Sequence, residues 1–291
     1  LLTASDPVPC LKSTIINVTV NSTPSITIAP SAPVICAGAI QSLTAAVTIP
    51  RFYNMTTSTG NAIVPGTTLV TGSQGDDVTA LITLPFTYEA YDVPYTQVRA
   101  SSNGNLQFTT NNTSFTNVCP LPASTMGVAF HPHWDDLHTG RVATEGIYTS
   151  VTGSAPNRIF NIEWRAEYFS PSSSAIVVNF EARIFEDQQR VDFIYGAVQN
   201  NGVSASIGVQ SQPTAQATTF SCNTGGLSSG LGISYVLLPA PTPPLLVTYS
   251  PLTELYTDAG ATTAYTGTPI STVYARPSVT RTYTASHTSA Q

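Results

Sequence analysis

Three consecutive segments decide the fold class: Arg158-Ile-Phe-Asn-Ile-Glu-Trp-Arg165, Ile176-Val-Val-Asn-Phe-Glu-Ala-Arg-Ile-Phe185 and Arg190-Val-Asp-Phe-Ile-Tyr195. In each of them apolar and polar residues alternate, which is typical of a β-strand with one buried face. Glu186-Asp-Gln-Gln189 supplies a turn between the last two segments. Together they predict an antiparallel meander with one apolar face.

The alternation also assigns side chains to the two faces of this meander. The residues expected to point into the core are Phe160, Ile162, Trp164, Val178, Phe180, Ala182, Ile184, Val191, Phe193 and Tyr195. The residues expected on the other face are Glu163, Arg165, Glu181, Arg183, Arg190 and Asp192. We interpret this second set as a solvated ladder of charge pairs rather than a binding site.

The rest of the chain has the same β character, with almost no helical periodicity. Further strands are predicted at 81–88, 96–100, 105–109, 126–130, 145–150 and 203–210. Ser102-Asn-Gly-Asn105 predicts a hairpin with a type I′ turn, and Asn200-Asn-Gly202 predicts a second hairpin. The sequence therefore predicts an all-β protein.

Composition excludes some classes of function. Only 9% of the 291 residues are charged, the net charge is −6, and Lys12 is the one lysine. A basic surface for nucleic acid is therefore absent, and no apolar run is long enough to span a membrane. We expect hydroxyl groups or glycans to keep so weakly charged a surface soluble. Five N-glycosylation sequons begin at Asn17, Asn21, Asn54, Asn111 and Asn112.

The distribution of charge divides the chain into modules. The segment 51–238 holds most charged residues and is expected to be an inserted β-rich module, followed by a Pro-rich linker at 239–244. The flanks 24–50 and 245–291 are rich in Thr, Val, Pro and Ser, and we expect them to form one β-sandwich. Residues 1–23 are expected to be an N-terminal arm.

The two ends of the sequence resemble each other. Thr282-Tyr-Thr-Ala-Ser286 is similar to Leu1-Leu-Thr-Ala-Ser5. If the likeness is structural, the flanking sandwich lacks its last strand. Lys12-Ser-Thr-Ile-Ile-Asn-Val-Thr-Val20 has the alternation that such a strand needs.

Four cysteines, Cys10, Cys36, Cys119 and Cys222, suggest disulfides, and three connectivities are open to them. The absence of a Cys-x-x-Cys pair argues against a zinc knuckle or a redox motif.

The flanks resemble the short immunoglobulin-like repeats of large secreted bacterial surface proteins. The resemblance is carried by Val18-Thr-Val-Asn21, Val34-Ile-Cys-Ala-Gly-Ala-Ile-Gln-Ser-Leu-Thr44, Tyr249-Ser-Pro-Leu-Thr-Glu-Leu-Tyr-Thr-Asp258 and Val273-Tyr-Ala-Arg-Pro-Ser-Val-Thr-Arg-Thr-Tyr-Thr-Ala285. It implies an immunoglobulin-like sandwich in which Cys36 pairs with Cys10, either of the same chain or of a neighbouring copy.

The middle module resembles nidogen-like secreted domains over about 60–236. The resemblance is carried by Leu84-Pro-Phe86, Ser101-Ser-Asn-Gly-Asn-Leu-Gln-Phe108, His133-Trp-Asp-Asp-Leu137, the stretch 146–165, Asn179-Phe-Glu181 and Phe220-Ser-Cys-Asn-Thr-Gly-Gly226. It implies a second, larger antiparallel sandwich, an extracellular or cell-surface location, and a disulfide between Cys119 and Cys222.

One segment has residues suited to chemistry: Phe130-His-Pro-His-Trp-Asp-Asp-Leu-His138. It resembles the His-x-His-x-Asp-His loop of metallo-β-lactamase-type hydrolases, with Asp136 in place of the last histidine. His131, His133, Asp135 and Asp136 are thus candidate metal ligands, and a structural Ca²⁺ on Asp135 or Asp136 is a variant of that idea. We favour a turn with Trp134 in the core and the aspartates accepting backbone amides. No other catalytic motif is present, so we predict no enzyme, no catalytic residue and no cofactor.

The sequence thus predicts a structural subunit or repeat of an extracellular, glycosylated fibre or stalk. Copies would assemble head to tail, with the N-terminal strand completing a neighbour's sandwich and Cys10–Cys36 locking the contact. One alternative is an adhesin or carbohydrate-binding module that uses the loops at 110–118 and 131–138. The other is a metal-dependent hydrolase at 131–138.

Overall fold

A computed structural model describes residues 2–5, 11–14, 24–172, 175–212, 216–239 and 245–288, the first two ranges as backbone only. The chain divides into two compact units. One is Arg51–Pro239, and the other combines Leu1–Pro50 with Ala240–Gln291. No helix in the described ranges is long and apolar enough to cross a membrane.

The described chain is built almost entirely of strands, and the one helical element is a short 3₁₀ turn at Gln199–Gly202. In chain order the strands are β1 (Leu2–Ser5), β2 (Leu11–Thr14), β3 (Ser25–Ala29), β4 (Gln41–Thr48), β5 (Tyr53–Ser58), β6 (Thr68–Leu69), β7 (Thr79–Ala90), β8 (Val93–Ser101), β9 (Asn105–Gln107), β10 (Ala129–Trp134), β11 (Leu137–His138), β12 (Gly146–Thr152), β13 (Ile159–Tyr168), β14 (Val178–Phe185), β15 (Arg190–Val198), β16 (Ser206–Ser211), β17 (Gln216–Cys222), β18 (Gly232–Leu237), β19 (Thr248–Ser250), β20 (Leu255–Tyr256), β21 (Thr272–Ala275) and β22 (Thr284–Ser286). The prediction of an all-β protein is confirmed.

The larger unit contains two antiparallel sheets that enclose one core. Their strand orders are β17-β16-β10-β9-β8-β7 and β5-β18-β15-β14-β13-β12-β6, with β11 added beside β13. The predicted meander is β13-β14-β15, and all ten residues expected to point inward are buried. Trp164 and Tyr195 tie the sheets together, because their polar atoms reach the carbonyls of Ser101 and Pro132 at 2.8 and 2.6 Å.

The charged face of the meander differs from the prediction of a solvated ladder, because residues 61–66 cover the part of it that holds Glu163 and Glu181. Glu163 and Glu181 are 4% and 0% exposed. The backbone amides of Gly66 and Val64 donate to these two carboxylates at 2.8 and 3.1 Å. The covering segment comes from about a hundred residues earlier in the chain, so alternation within the strands gives no sign of it.

The first predicted hairpin forms between β8 and β9 with another turn type, and the second does not form. At Ser102-Asn-Gly-Asn105 the φ of Gly104 is 72° while Asn103 keeps a negative φ, and Ser101 pairs with Asn105. The loop therefore has three residues and is not a type I′ turn, which needs two positive φ angles. Asn200, Asn201 and Gly202 all have positive φ, but they connect β15 of one sheet to β16 of the other. They form a crossover rather than a hairpin.

The smaller unit is a sandwich with unequal sheets. Its four-stranded sheet has the order β20-β21-β4-β3, and its second sheet contains β19 and β22. The core between them includes Leu43, Val273 and Tyr249. The Tyr249 hydroxyl donates to the Ser271 carbonyl at 2.7 Å, which anchors the small sheet on the large one.

The N-terminal arm contributes a separate two-stranded sheet. β1 pairs antiparallel with β2, so that Leu2 lies opposite Thr14 and Ser5 opposite Leu11. The predicted strand Lys12–Val20 is described only as far as Thr14. Its remainder, Cys10, Asn17 and Asn21 lie outside the described residues.

Candidate functional site

The two histidines of β10 lie in different packing environments. His131 stacks on Trp134 with ring centroids 4.8 Å apart, and its Nε2 lies 3.2 Å from Oε1 of Gln210. His133 stacks on Phe180 at 5.4 Å, and its Nε2 lies 3.4 Å from the Tyr168 hydroxyl. Both rings are fully buried. Strand β10 therefore does not direct the two imidazoles at one common point.

Burial keeps both imidazoles neutral. It lowers the pKa of His131 and of His133 to about 3, and in His131 the hydrogen bond to Gln210 opposes this only in part. Neither Nδ1 has a hydrogen-bond partner in the described part of the chain. An imidazolium would leave that second N–H donor without an acceptor, so these rings are core groups with a polar edge.

Asp135 and Asp136 follow the two histidines and form the turn between β10 and β11. Asp135 accepts the backbone amide of Asp136 at 2.9 Å and the Ser204 hydroxyl at 2.6 Å. Burial raises the pKa of Asp136, and the nearby charges of Asp76, Asp77 and Asp135 raise it further. No group of three His, Cys, Asp or Glu side chains suited to a metal ion occurs among the described residues. The structure thus does not bring the four candidate ligands together.

The same segment was one half of the predicted adhesin face, and its burial corrects that prediction. Of residues 131–138, only Asp136 and His138 are even partly exposed, and Trp134 is buried. The ring of Phe115 in the loop at 110–118 is 50% exposed. The buried half leaves this region without the exposed aromatic cleft that binding of a carbohydrate would favour.

Glu163 and Glu181, two members of the predicted charge ladder, form a closely spaced pair of carboxylates. They lie directly opposite each other on β13 and β14. Arg165 and Arg183 donate to them at 2.7 and 2.9 Å. Burial raises the pKa of Glu181, and the Arg183 hydrogen bond opposes the shift without cancelling it. The pair is enclosed by residues 61–66 and serves to hold that segment.

A disulfide joins Cys119 to Cys222, as the nidogen-like resemblance implied. The Cα atoms are 5.5 Å apart and the bond closes a loop of 103 residues. It fixes the loop before β10 to the end of β17. The remaining described cysteine, Cys36, is exposed and free.

Removing this disulfide is expected to destabilise the larger unit. A loop of about 100 residues corresponds to about 4–5 kcal/mol of chain-entropy stabilisation, so C119S/C222S should lose roughly 3–5 kcal/mol. Urea unfolding followed by tryptophan fluorescence measures it, because both tryptophans lie in this unit. C36S is the matched control and should leave the midpoint unchanged. Equal midpoints for all three chains would contradict the expectation.

The described sequons differ in accessibility. Asn54 and Asn111 are exposed, whereas Asn112 is partly buried and its Oδ1 accepts the Ser114 amide at 2.7 Å. Asn54 and Asn111 are therefore the two positions where an attached glycan would meet least obstruction.

The smaller unit carries an open apolar groove that sequence reasoning did not locate. It has a volume of about 640 Å³ and lies between the β3–β4 region and residues 277–283. Its apolar lining includes Ile28, Ile35, Leu43, Val34, Val279 and Tyr283. Val34 and Val279 are 99% and 64% exposed. The only sequence signal for this groove was the missing last strand of the sandwich.

The lining of the groove ends at Tyr283, the residue directly before β22. Thr284, Ala285 and Ser286 pair with Ser250, Tyr249 and Thr248 of β19. Within the ranges that the structure describes, no strand pairs with the opposite side of β22. A free sheet edge carries amides and carbonyls with which the backbone of another strand can pair.

The larger unit belongs by architecture to the class of disulfide-stapled β-sandwich modules. A family model described as NIDO related matches residues 52–251, which is more than half of the chain. The chain belongs to the NIDO-related family. No curated protein and no solved structure matches it.

The family and the disulfide together indicate an extracellular, β-rich protein. The immunoglobulin-like character of the flanks stays a prediction, since the family match covers little of them.

Proposed function

We propose that this protein is a structural subunit of an extracellular fibre or stalk and that it assembles head to tail. Each copy would donate its N-terminal strand to the sandwich of the next. The observation that carries the proposal is the unequal sandwich, in which β22 has a free edge beside an open apolar groove. A contact between two different surfaces that does not close into a ring produces a filament.

The residues of the arm support this role. Lys12–Val20 alternates, with Ile16, Val18 and Val20 on one face. Such a strand buries one apolar row and satisfies the unpaired backbone groups of an edge at the same time. An acceptor groove and a matching donor segment on one chain are the two parts that a self-assembling subunit needs.

The exposed apolar residues of the smaller unit also support the proposal that a partner covers the groove. Val34 and Val279 are apolar and largely exposed in the isolated chain. Covering them with another strand would remove apolar surface from water at about 25 cal/mol per Å². Assembly would thus bury surface that the isolated subunit leaves open.

Imaging and sedimentation test the proposal. The full chain should form regular filaments in negative-stain electron microscopy, and sedimentation velocity should show a mass that increases with protein concentration. The control is the same sample after dilution, which should shift towards single subunits. A single species of subunit mass at every concentration would contradict the proposal.

A further inference from the structure

The N-terminal hairpin contains a copy of the strand that borders the groove. Strand β22 is Thr284-Ala285-Ser286, and the last three residues of β1 are Thr3-Ala4-Ser5. In the hairpin these three residues pair with Ser13, Lys12 and Leu11 of β2. The hairpin therefore shows how a Thr-Ala-Ser strand pairs with Leu11–Ser13.

From this we propose that the groove binds the segment Leu11–Val20 of a second copy, with β22 of the acceptor replacing β1 of the donor. The inference rests on the proposed head-to-tail assembly and adds its site and register. Thr284 then lies opposite Ser13, Ala285 opposite Lys12 and Ser286 opposite Leu11. Because the replaced and replacing strands share one sequence, the exchange conserves the backbone hydrogen bonds of the hairpin, as in a domain swap.

The register also directs the apolar residues of the donor. Directly opposite residues of an antiparallel pair point to the same face. Ala285 packs against the core of the sandwich, so the even-numbered residues of the donor face inward. Continuing the register as far as Arg281 puts Thr14 beside Tyr283 and Ile16 beside Arg281, and both acceptor positions line the groove. Before Arg281 the acceptor chain bends at Ser278 and Val279, so the register is not carried further.

The arrangement has a consequence for the cysteines. Cys10 would lie opposite His287, at one end of β22. Cys36 lies in the turn next to Gly38 and Pro277, on the other side of the bend at Ser278 and Val279. The segment 281–287, if extended, spans about 20 Å, which places the two cysteines at different ends of the contact. The predicted Cys10–Cys36 lock therefore does not form across this contact, which is held by strand pairing alone.

Engineered cysteines test the register in the full chain. In a C10S/C36S background, S13C/T284C places two thiols directly opposite each other across the contact. L11C/T284C is the matched control, because it keeps the same strand face but is two residues out of register. With oxidised glutathione as oxidant, S13C/T284C should give a ladder of covalent multimers on a non-reducing gel. The yield should exceed the control by about fivefold or more, because cysteines with Cα atoms beyond 7 Å do not bridge.

The outcomes separate this inference from the proposed function. Filaments without an S13C/T284C ladder, or with a stronger ladder from L11C/T284C, would overturn the register and leave head-to-tail assembly standing. A cross-link that closes within the monomer would show that the chain's own arm fills the groove, and it would overturn the exchange. Absence of filaments and of multimers in the background protein would remove both proposals.

Discussion

Replacing Ile16 by aspartate is expected to leave the protein as single subunits at concentrations where the unsubstituted chain forms filaments. In the proposed register Ile16 enters the groove beside Arg281, which already pairs with Glu254. An aspartate at position 16 would therefore be buried without a cation of its own, which costs several kcal/mol. A loss of about 3 kcal/mol weakens the contact more than 100-fold. Sedimentation velocity over a concentration series measures the change.

Ile15 provides the matched control for this experiment. It is the same residue type one position earlier, and alternation puts its side chain on the outer face. I15D should therefore assemble nearly as the unsubstituted chain does. If I15D and I16D lose assembly to the same extent, the effect comes from charge in the arm and not from the groove. If I16D still forms filaments, the donor segment is another part of the molecule.

Acid is expected to destabilise the larger unit strongly, because His131 and His133 are buried as neutral rings. Their pKa is about 3 in the folded protein and about 6.5 when exposed. Between these values the unfolded chain binds more protons than the folded one, so stability falls as the pH falls. Each histidine contributes about 1.4 kcal/mol per pH unit, which amounts to roughly 5 kcal/mol for the pair between pH 7 and 4.5.

Several carboxylates modify this slope. Burial raises the pKa of Asp135, Asp136 and Glu181, so these groups favour the folded state as they take up protons and partly offset the histidines. The hydrogen bonds that Arg158 donates lower the pKa of Glu186, so the stabilisation from that ion pair decreases in acid. Variants of the histidines separate the histidine contribution to the pH dependence of stability from the contribution of these carboxylates.

Urea unfolding at a series of pH values, followed by tryptophan fluorescence, measures the dependence. H133F keeps an aromatic ring on Phe180 and removes the titrating group, so its slope between pH 6 and 4 should be smaller by about 1.4 kcal/mol per pH unit. V178A is a control that removes buried apolar volume from the same core but no titrating group, and it should keep the original slope. Equal slopes for the unsubstituted chain and H133F would show that His133 titrates normally in the fold.

Much of the fold was predictable because its signals are local. Strands β13, β14 and β15 each carry an apolar row that period-2 alternation reveals, and burial of that row against a second sheet follows from the hydrophobic effect. The disulfide partners were implied by the nidogen-like resemblance. The class of fold and the inward-facing residues of the meander therefore needed no knowledge of long-range contacts.

The predictions that were wrong concern residues whose surroundings depend on contacts between distant parts of the chain. Residues 61–66 cover Glu163 and Glu181, so a row of charges that looked solvated is internal. His131 and His133 occur at a spacing suited to metal ligands, yet their rings pack on Trp134 and Phe180. Residues 61–66 in the first case, and Gln210 and Phe180 in the second, are far from these side chains in sequence, and neither alternation nor spacing carries that information.

The groove of the smaller unit was predictable from the sequence only in part. The likeness of Thr282–Ser286 to the first five residues indicated that a strand was missing from the sandwich. The position of the groove required the packing of β3, β4 and residues 277–283 against one another. The register required the pairing of β1 with β2.

Binding of a separate donor peptide is the most direct test of whether β22 pairs with the segment Leu11–Val20 of another molecule. A synthetic peptide of residues 10–23 would be titrated into the full-length I16D chain, whose own arm cannot act as donor but whose groove is intact. Calorimetry should show saturable binding of one peptide per chain, and the same peptide carrying I16D should bind at least about 100-fold more weakly. Equal binding of the two peptides, or no binding of either, would contradict the account.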